Sequence, residues 1–592
     1  MSGAALSPEH RAASVARMAA DTFDILVVGG GVTGAGAALD AATRGLSVAL
    51  IEASDYAAGA SSKSSKLIHG GLRYLEMGDF GLVREALTER ALLLTTLAPH
   101  LVKPVPFLWP LTHRGWERPY VGAGLLLYDT MGGRRAVPRS RHLSKTGALG
   151  IAPALRPDAL VGAIQFYDAQ EDDARMVACL ARTAAGYGAA MATNVVLDGV
   201  ITEHGTVTGV RASDLLRGTT LEISARHVVL ATGAWTGAAA GRRTGTGTGT
   251  GAGASTGAGL STGAGLRVRP SKGVHIVVPR DRIAMDTGLL TRTEKSVLFV
   301  IPWGDHWLIG DTDTEWPYDP ASPAASRADI DYLLAKANRM LSEPLTSDDI
   351  EGVFAGLRPL VAARATGDTT RLSREHAVDS SVPGLSVIAG GKYTTYRIMA
   401  RDLIDAAARD LTARSGHPAG TIPPSGTDQV PLTGAAGYAG HWAARERTAR
   451  VSGVGASGIE RLLGRYGSEI DDVLGLIAAR PELGQQVPGS GGYLGAEVVY
   501  ACNHEGAVRL DDLLARRTRV TITTRYRGAA AAPHAAALMA AELGWDAART
   551  QAEIDRYLAD IAAQLAGEAE PDDLRAYQVR TRGLTCPLTH EV

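Results

Sequence analysis

Candidates for acid–base and anion chemistry are His69, His275, Arg358 and Arg374, each in a distinctive stretch of sequence and far from the others along the chain. An imidazole titrates near neutral pH and can take a proton from a hydroxyl; among the 15 histidines His69 is the first candidate because of its neighbours, and His275 the second. It sits in Ala60-Ser61-Ser62-Lys63-Ser64-Ser65-Lys66-Leu67-Ile68-His69-Gly70-Gly71-Leu72-Arg73-Tyr74, a hydroxyl-rich stretch punctuated by glycine. Hydroxyls and free backbone N–H groups there suit phosphate oxygens, and a loop of this mixture between two apolar elements marks a ligand site. Basic positions recur at Arg358 in Gly356-Leu357-Arg358-Pro359-Leu360 and at Arg374 in Arg371-Leu372-Ser373-Arg374-Glu375-His376. A planar guanidinium binds two phosphate oxygens at once, and separated basic positions suit a phosphate better than a carboxylate. Metal chemistry is not expected: Cys179, Cys502 and Cys586 are far apart and form no C-x-x-C, which argues against a zinc site or a disulfide scaffold and fits a reducing cytosol.

These groups need a scaffold, and the stretch from Phe23 to Glu52 supplies its centre. Phe23 to Val28 is an apolar, β-branched run of the kind that makes a buried parallel strand. It leads into Gly29-Gly30-Gly31-Val32-Thr33-Gly34-Ala35-Gly36, which contains G-x-G-x-x-G; Ala37 to Arg44 reads as helix and Leu46 to Ile51 as a second strand closing on Glu52. The glycines let the backbone turn tightly and approach a pyrophosphate, whose charge sits on the N–H groups of the helix N-terminus. Glu52 falls where a carboxylate accepts hydrogen bonds from ribose hydroxyls and repels a 2′-phosphate. This is a dinucleotide site, and the local pattern does not separate FAD from NAD. A second apolar strand, Arg226 to Leu230, ends in Ala231-Thr232-Gly233, where backbone can press against a flat cofactor. Further strands are expected at Val274 to Pro279, Val297 to Pro302, around Trp307 to Asp313, and at Leu385 to Ala389, which delivers Gly390-Gly391-Lys392-Tyr393-Thr394-Thr395-Tyr396-Arg397. Helices are expected at Gly81 to Leu97 and Ala174 to Tyr187.

At 592 residues the chain exceeds one compact core. The expected class is α/β: residues 1–20 as an N-terminal extension, 21–410 as a Rossmann-like domain interleaved with an α+β substrate domain, 411–430 as a Gly/Pro/Ser-rich linker, and 431–592 as a mostly helical domain. Residues 237–265 are built of Thr-Gly and Gly-Ala units, with almost no side chains for a core, and read as a flexible surface insertion. The 60 Lys and Arg nearly balance the 62 Asp and Glu, so no overall field favours nucleic acid. Residues 1–20 lack the apolar core of a secretory signal, and no run approaches a spanning helix. Residues 107–141 mix Trp109, Trp116, Tyr120, Leu125 to Leu127 and Tyr128 with Arg114, Arg118, Arg134, Arg135, Arg139 and Arg141. Such a basic-aromatic segment suits a membrane interface; a core hairpin with a solvated rim is the alternative.

In order and spacing, the motifs at Gly29 to Gly36 with Glu52, Ser61 to Tyr74, Ala231 to Gly233, Lys272 to Pro279, Gly356 to Leu360 and Gly390 to Arg397 resemble those of FAD-dependent glycerol-3-phosphate dehydrogenases. The stretch Ser64 to Tyr74 is close to diagnostic, and the resemblance spans roughly residues 22 to 545. It implies FAD as cofactor, with contacts from Gly29, Gly31, Gly34, Gly36, Glu52, Ser61, Ser62, Ser64, Ser65, Lys66, Leu67, Gly70, Gly71, Ala231, Thr232, Gly233, Gly391, Lys392, Thr394 and Thr395. It implies oxidation of sn-glycerol 3-phosphate to dihydroxyacetone phosphate, as in glycerol and glycerophospholipid metabolism. In that reaction His69 lies beside the flavin as base, Lys392 stabilises charge near flavin and substrate oxygens, and Arg358 and Arg374 hold the phosphate. Arg73, Tyr74 and His275 are further substrate contacts. It also implies a membrane quinone as electron acceptor and a cytoplasmic protein with peripheral membrane contact; a homodimer is compatible with it.

Two features depart from the family pattern: the insertion at 237–265, and Asp311 where an uncharged threonine is usual. A carboxylate at that turn would weaken phosphate binding or alter the flavin potential. The rival readings are a glycerol-3-phosphate oxidase that passes electrons to O₂ and releases hydrogen peroxide, a flavin-dependent amine or amino-acid oxidase, and a flavin-binding scaffold whose site has decayed.

Overall fold

The computed structural model describes residues 3–76, 78–131, 136–236, 266, 268–293, 297–361, 375–414 and 422–582. Arg374, Arg134, Arg135, Cys586 and the insertion at 237–265 therefore lie outside the described residues.

The organising strand β1 (Thr22–Val28) is buried along almost its whole length, because helices cover one face of the parallel sheet it occupies and the N-terminal helix with the antiparallel strands Val195–Glu203 and Thr206–Asp214 covers the other. It pairs in parallel with β2 (Val48–Glu52) on one side and with Thr219–Leu230 on the other. Leu385–Gly390 extends the sheet beyond Thr219–Leu230, and Ala190–Thr193 extends it beyond β2. Between β1 and β2 runs the helix α2 (Val32–Thr43), whose alanines and glycines bring it close to Asp173–Gly186 and Tyr396–Arg414 in one apolar core. A second sheet is largely antiparallel. In it Val268–Pro279 pairs with Gly352–Val361 and His306–Gly310, and Lys103–Leu111 pairs with Gly162–Gln170. The chain passes between the two sheets several times, so its α/β and α+β parts are interleaved.

Sequence and structure differ in three places. The N-terminal extension is not a loose tail: α1 (Pro8–Ala20) buries Val15 and Met18, and Arg11 forms a buried ion pair with Asp214 at 2.7 Å. Among its described residues the stretch 107–141 makes no hairpin, but the end of the strand Lys103–Leu111, the helix Glu117–Met131 and the start of the short strand Arg141–Ser144. The linker expected at 411–430 begins inside the helix Tyr396–Arg414, and at its far end Ser425 and Thr427 reach Asp40 of α2. From there the chain is helical, ending in Ala547–Ala569 and Asp573–Thr581.

Candidate active site

Where β1 meets α2, steric limits choose the residues. Gly29 has φ +111°, and a Cβ there would stand 2.5 Å from the Ala231 carbonyl oxygen; a Cβ on Gly34 would stand 1.9 Å from the Gly29 carbonyl oxygen. Both positions exclude any side chain, so the ends of β1, α2 and Thr219–Leu230 converge on bare backbone. Gly36 faces away, toward Tyr396 and Ala400. At the start of α2 no acid occupies the first turn and Gly31 offers no side-chain cap. Ser61 Oγ accepts from the Val32 N–H at 2.9 Å, and the helix N-terminus opens on a cavity of about 1610 Å³. Glu52 lines that cavity too, with its carboxylate accepting from the Gly30 N–H at 2.6 Å and the Ser54 N–H at 2.9 Å. Burial raises its pKa against the pull of those two amides.

The loop after Gly59 divides between ligand and scaffold. Ser61, Ser62, Ser64, Ser65, Leu67 and Gly71 line the cavity. Lys66 and Gly70 stand outside that lining. Lys66 is fully buried, with Nζ donating to both Asp173 oxygens at 2.8 and 2.9 Å and to the Ser62 carbonyl at 2.9 Å. Burial lowers its pKa to about 8 although Asp173 opposes the change. Gly70 donates its N–H to the Tyr128 hydroxyl at 2.7 Å, and a Cβ there would strike Leu87. Gly34 and Gly36 likewise stand outside the lining, close-packed against backbone and side chains, and so does Thr395, whose hydroxyl donates to the Lys392 carbonyl at 3.4 Å. Ala231, Thr232 and Gly233 line the cavity, as do Gly391, Lys392 and Thr394.

His69, His275, Arg358 and Lys392 come together on the walls of the same cavity. The His69 N–H donates to Thr394 Oγ1 at 3.1 Å, and its ring meets Phe299 edge-on at 6.3 Å. The His275 ring stacks on Phe354 at 4.9 Å, with Nε2 2.9 Å from Ser65 Oγ. Burial lowers the His275 pKa to about 4, so the imidazole is neutral at pH 7. Lys392 Nζ stands 3.6 Å over the Tyr74 ring, a cation–π contact. Gly71, at φ +77°, leaves room for that ring, which a Cβ would meet at 2.5 Å. Arg358 contacts Asp311 through Nη2 and donates to the Thr312 carbonyl at 3.1 Å, with Asp313 3.9 Å away. Burial would pull its pKa down, but the Asp311 and Asp313 carboxylates outweigh burial and raise it. Arg73 opens the short helix Arg73–Glu76; its side chain is outside what the structure describes.

Sequence reasoning passed over the residues that fix this loop from behind. Asp173 takes Lys66, the Ser64 hydroxyl at 2.7 Å and Arg519 of the C-terminal domain. Asp55, just after β2, takes Arg517 at 2.7 Å and Arg516. The signals were present: an acidic run at Glu171 to Asp173 between a strand and a helix, and three arginines among residues 516–519. The cavity fits FAD on this geometry. Bare backbone at Gly29 and Gly31, a helix N-terminus with no acid in its first turn for a pyrophosphate and a carboxylate at the end of β2 lie at one end of a space that continues to His69 and Lys392.

Comparison with known proteins agrees with that fit. Residues 24–397 match the family model of FAD dependent oxidoreductases, and residues 425–550 match the C-terminal domain of alpha-glycerophosphate oxidase. The chain is 49% identical over 579 residues to glycerol-3-phosphate dehydrogenase 2 of Mycobacterium tuberculosis, covering 98% of this chain and 94% of that one. It is 36% identical over 557 residues to the mitochondrial glycerol-3-phosphate dehydrogenase of Homo sapiens, covering 90% of this chain and 72% of that one. Among solved structures, the glycerol-3-phosphate dehydrogenase of Bacillus halodurans complexed with FAD superposes with a TM-score of 0.73 at 28% identity, covering 94% of this chain and 98% of that one.

Proposed function

The chain belongs to the FAD-dependent glycerol-3-phosphate dehydrogenases, and we propose that it oxidises sn-glycerol 3-phosphate to dihydroxyacetone phosphate and passes the electrons to a membrane quinone. The observation that carries this reading is the meeting of two imidazoles, Lys392 and Arg358 in the cavity onto which the α2 N-terminus opens. Bound FAD supplies the hydride acceptor. His69 takes the proton of the C2 hydroxyl on a ring nitrogen, being the imidazole on the loop that shapes the cofactor site. His275, neutral and fixed by Ser65, orients the same hydroxyl by hydrogen bonding rather than by charge. Lys392, seated on Tyr74, offsets the negative charge that grows on the substrate oxygen. Arg358 binds the phosphate, exchanging its Asp311 contact for phosphate oxygens. Tyr74, which lines the same cavity, adds a substrate contact.

The quinone reading is supported by the helix Glu117–Met131, whose outer face carries Tyr120, Leu126 and Leu127 at 53%, 64% and 40% exposure beside Trp116 at 58%. With exposed Arg114, Arg139 and Arg141 nearby, this is an apolar face with a basic border, suited to the surface of an anionic membrane. Among the described residues no helix is long and apolar enough to cross one. One observation favours the oxidase reading, namely the match of residues 425–550 to an alpha-glycerophosphate oxidase domain. Anaerobic bleaching of the flavin absorbance by sn-glycerol 3-phosphate, with glycerol as control, tests the substrate; no bleaching sinks it. Reoxidation then separates the acceptors: a quinone analogue much faster than air supports the dehydrogenase, and fast air oxidation with peroxide release supports the oxidase.

A further inference from the structure

Part of the cavity wall comes from the last two described helices, which contribute Asp560, Gln564, Arg580 and Thr581. The lining there also includes Lys63, two residues beyond the serine that holds the first turn of α2. Among the described residues no carboxylate lies within ion-pair distance of the Lys63 ammonium. The acids around it are committed elsewhere. Glu568 holds Arg527 at 2.8 and 2.9 Å, Asp511 holds Arg516 at 2.8 Å and Arg556 at 2.7 Å, and Asp555 accepts from Gln551 at 2.8 Å. Asp560 accepts from Gln564 Nε2 at 2.7 Å and gives Arg580 one contact, at 3.3 Å, and among the described residues Arg580 Nε and Nη1 are buried with no hydrogen-bond partner. Arg516 is satisfied by Asp55, Asp511 and Asp512. Burial, then the charges of Arg580 and Arg516, lower the Lys63 pKa to about 8 against the opposing pull of Asp560.

Cations gathered in a cavity with unfilled donors are stabilised by an anion that enters it. The geometry points to an oxyanion site between Lys63 and Arg580, taking a phosphate-class ligand on the ammonium and on the two unfilled guanidinium donors. Two sources share that chemistry: the pyrophosphate of the bound dinucleotide, and a free phosphate or pyrophosphate beside it. The first source rests on the cofactor reading; the second does not.

Lys63→Met, Arg580→Gln and Lys63→Arg separate the outcomes. The readouts are the FAD dissociation constant, from the fluorescence of released flavin, and the melting temperature of the FAD-loaded protein with and without inorganic pyrophosphate. If the dinucleotide is the source, FAD affinity falls about tenfold or more in the first two variants, as loss of a charge-assisted contact requires, and Lys63→Arg restores most of it. If a free anion is the source, FAD affinity is unchanged while pyrophosphate raises the melting temperature of the wild type and not of Lys63→Met or Arg580→Gln. Unchanged FAD affinity in both, with no pyrophosphate effect on the wild type, overturns the site. Because Lys63 and Arg580 lie on different elements, misfolding of one variant leaves the other to decide. A wild type that retains no FAD would instead count against the cofactor reading, and pyrophosphate stabilisation of the protein alone would then decide the site.

Discussion

At Arg358 an incoming phosphate dianion meets a cation already engaged, since Nη2 contacts Asp311 and donates to the Thr312 carbonyl at 3.1 Å. A partly exposed ion pair of this kind is worth about 1 kcal/mol. Asp311→Asn should therefore lower the KM for glycerol 3-phosphate about fivefold with little change in kcat; an unchanged or raised KM would show that Asp311 positions Arg358 instead of competing for it. His69→Gln should reduce kcat by about 10² to 10⁴ while FAD content stays at the wild-type level, and a loss smaller than tenfold would move the base to another group. His275 carries a pH signature. Its pKa of about 4 lies below the usual 6.5, so between those values the unfolded chain binds a proton that the folded chain refuses. Stability then falls by about 3 kcal/mol as pH drops from 6.5 to 4. His275→Asn should flatten the corresponding stretch of a melting-temperature profile. Residue types announced these candidates from the sequence, but the Arg358–Asp311 contact was not legible there, because those two residues belong to strand and turn segments that meet only through the register of the second sheet.

Elements were legible where their pattern is local. The β1–α2–β2 unit follows from its apolar runs and glycines, and Gly34 has a demand that can be tested directly. With a Cβ 1.9 Å from the Gly29 carbonyl oxygen, Gly34→Ala must push α2 off the strand. Overpacking of this kind costs about 1–3 kcal/mol, so the variant should melt earlier and purify with depleted flavin; full flavin content at wild-type stability would mean that α2 shifts without harm. The loop from Ser61 to Tyr74 was harder to read because its residues face two ways. Ser65 turns to the cavity and to His275, whereas Lys66, one position on, turns into the scaffold at φ +60°. A serine-lysine string gives no period from which to sort those directions. The helix Glu117–Met131 was missed for a related reason: its apolar residues occupy both the buried face, at Val121, Leu125 and Tyr128, and the exposed face, which blurs the helical alternation. Replacing Trp116, Leu126 and Leu127 by serine together should abolish sedimentation with anionic vesicles and leave flavin bleaching by substrate intact. Retained sedimentation would place any docking surface elsewhere.

Over the whole molecule, the sequence showed a change of character near residue 430 but not how the later part is joined to the earlier one. Those joints are ionic and distant in the chain: Asp55 to Arg516 and Arg517, Asp172 and Asp173 to Arg519, Arg175 to Glu505, and Arg182 to Glu469. Charge clusters mark some of these partners, such as Glu171 to Asp173 and Arg516 to Arg519, but nothing periodic matches each with a mate that lies hundreds of positions away. The N-terminus shares in the closure, with the Leu6 N–H donating to the His504 carbonyl at 3.0 Å. Removing one partner leaves the other buried and uncompensated, at a cost of about 3–5 kcal/mol. Asp173→Asn, which abandons both Lys66 and Arg519, should accordingly lower stability by that order and speed flavin loss together; a change in one alone would separate the loop from the joint. The same carboxylate also imposes a timetable on synthesis. On a translating ribosome the loop around Lys66 emerges early, yet Arg519 is added only when most of the polypeptide is already made, so the loop waits half-anchored through nearly the whole of elongation. Nascent chains arrested before residue 516 should therefore leave the loop open to protease and hold flavin poorly, and maturation of the holoenzyme becomes an event that follows the emergence of Arg519.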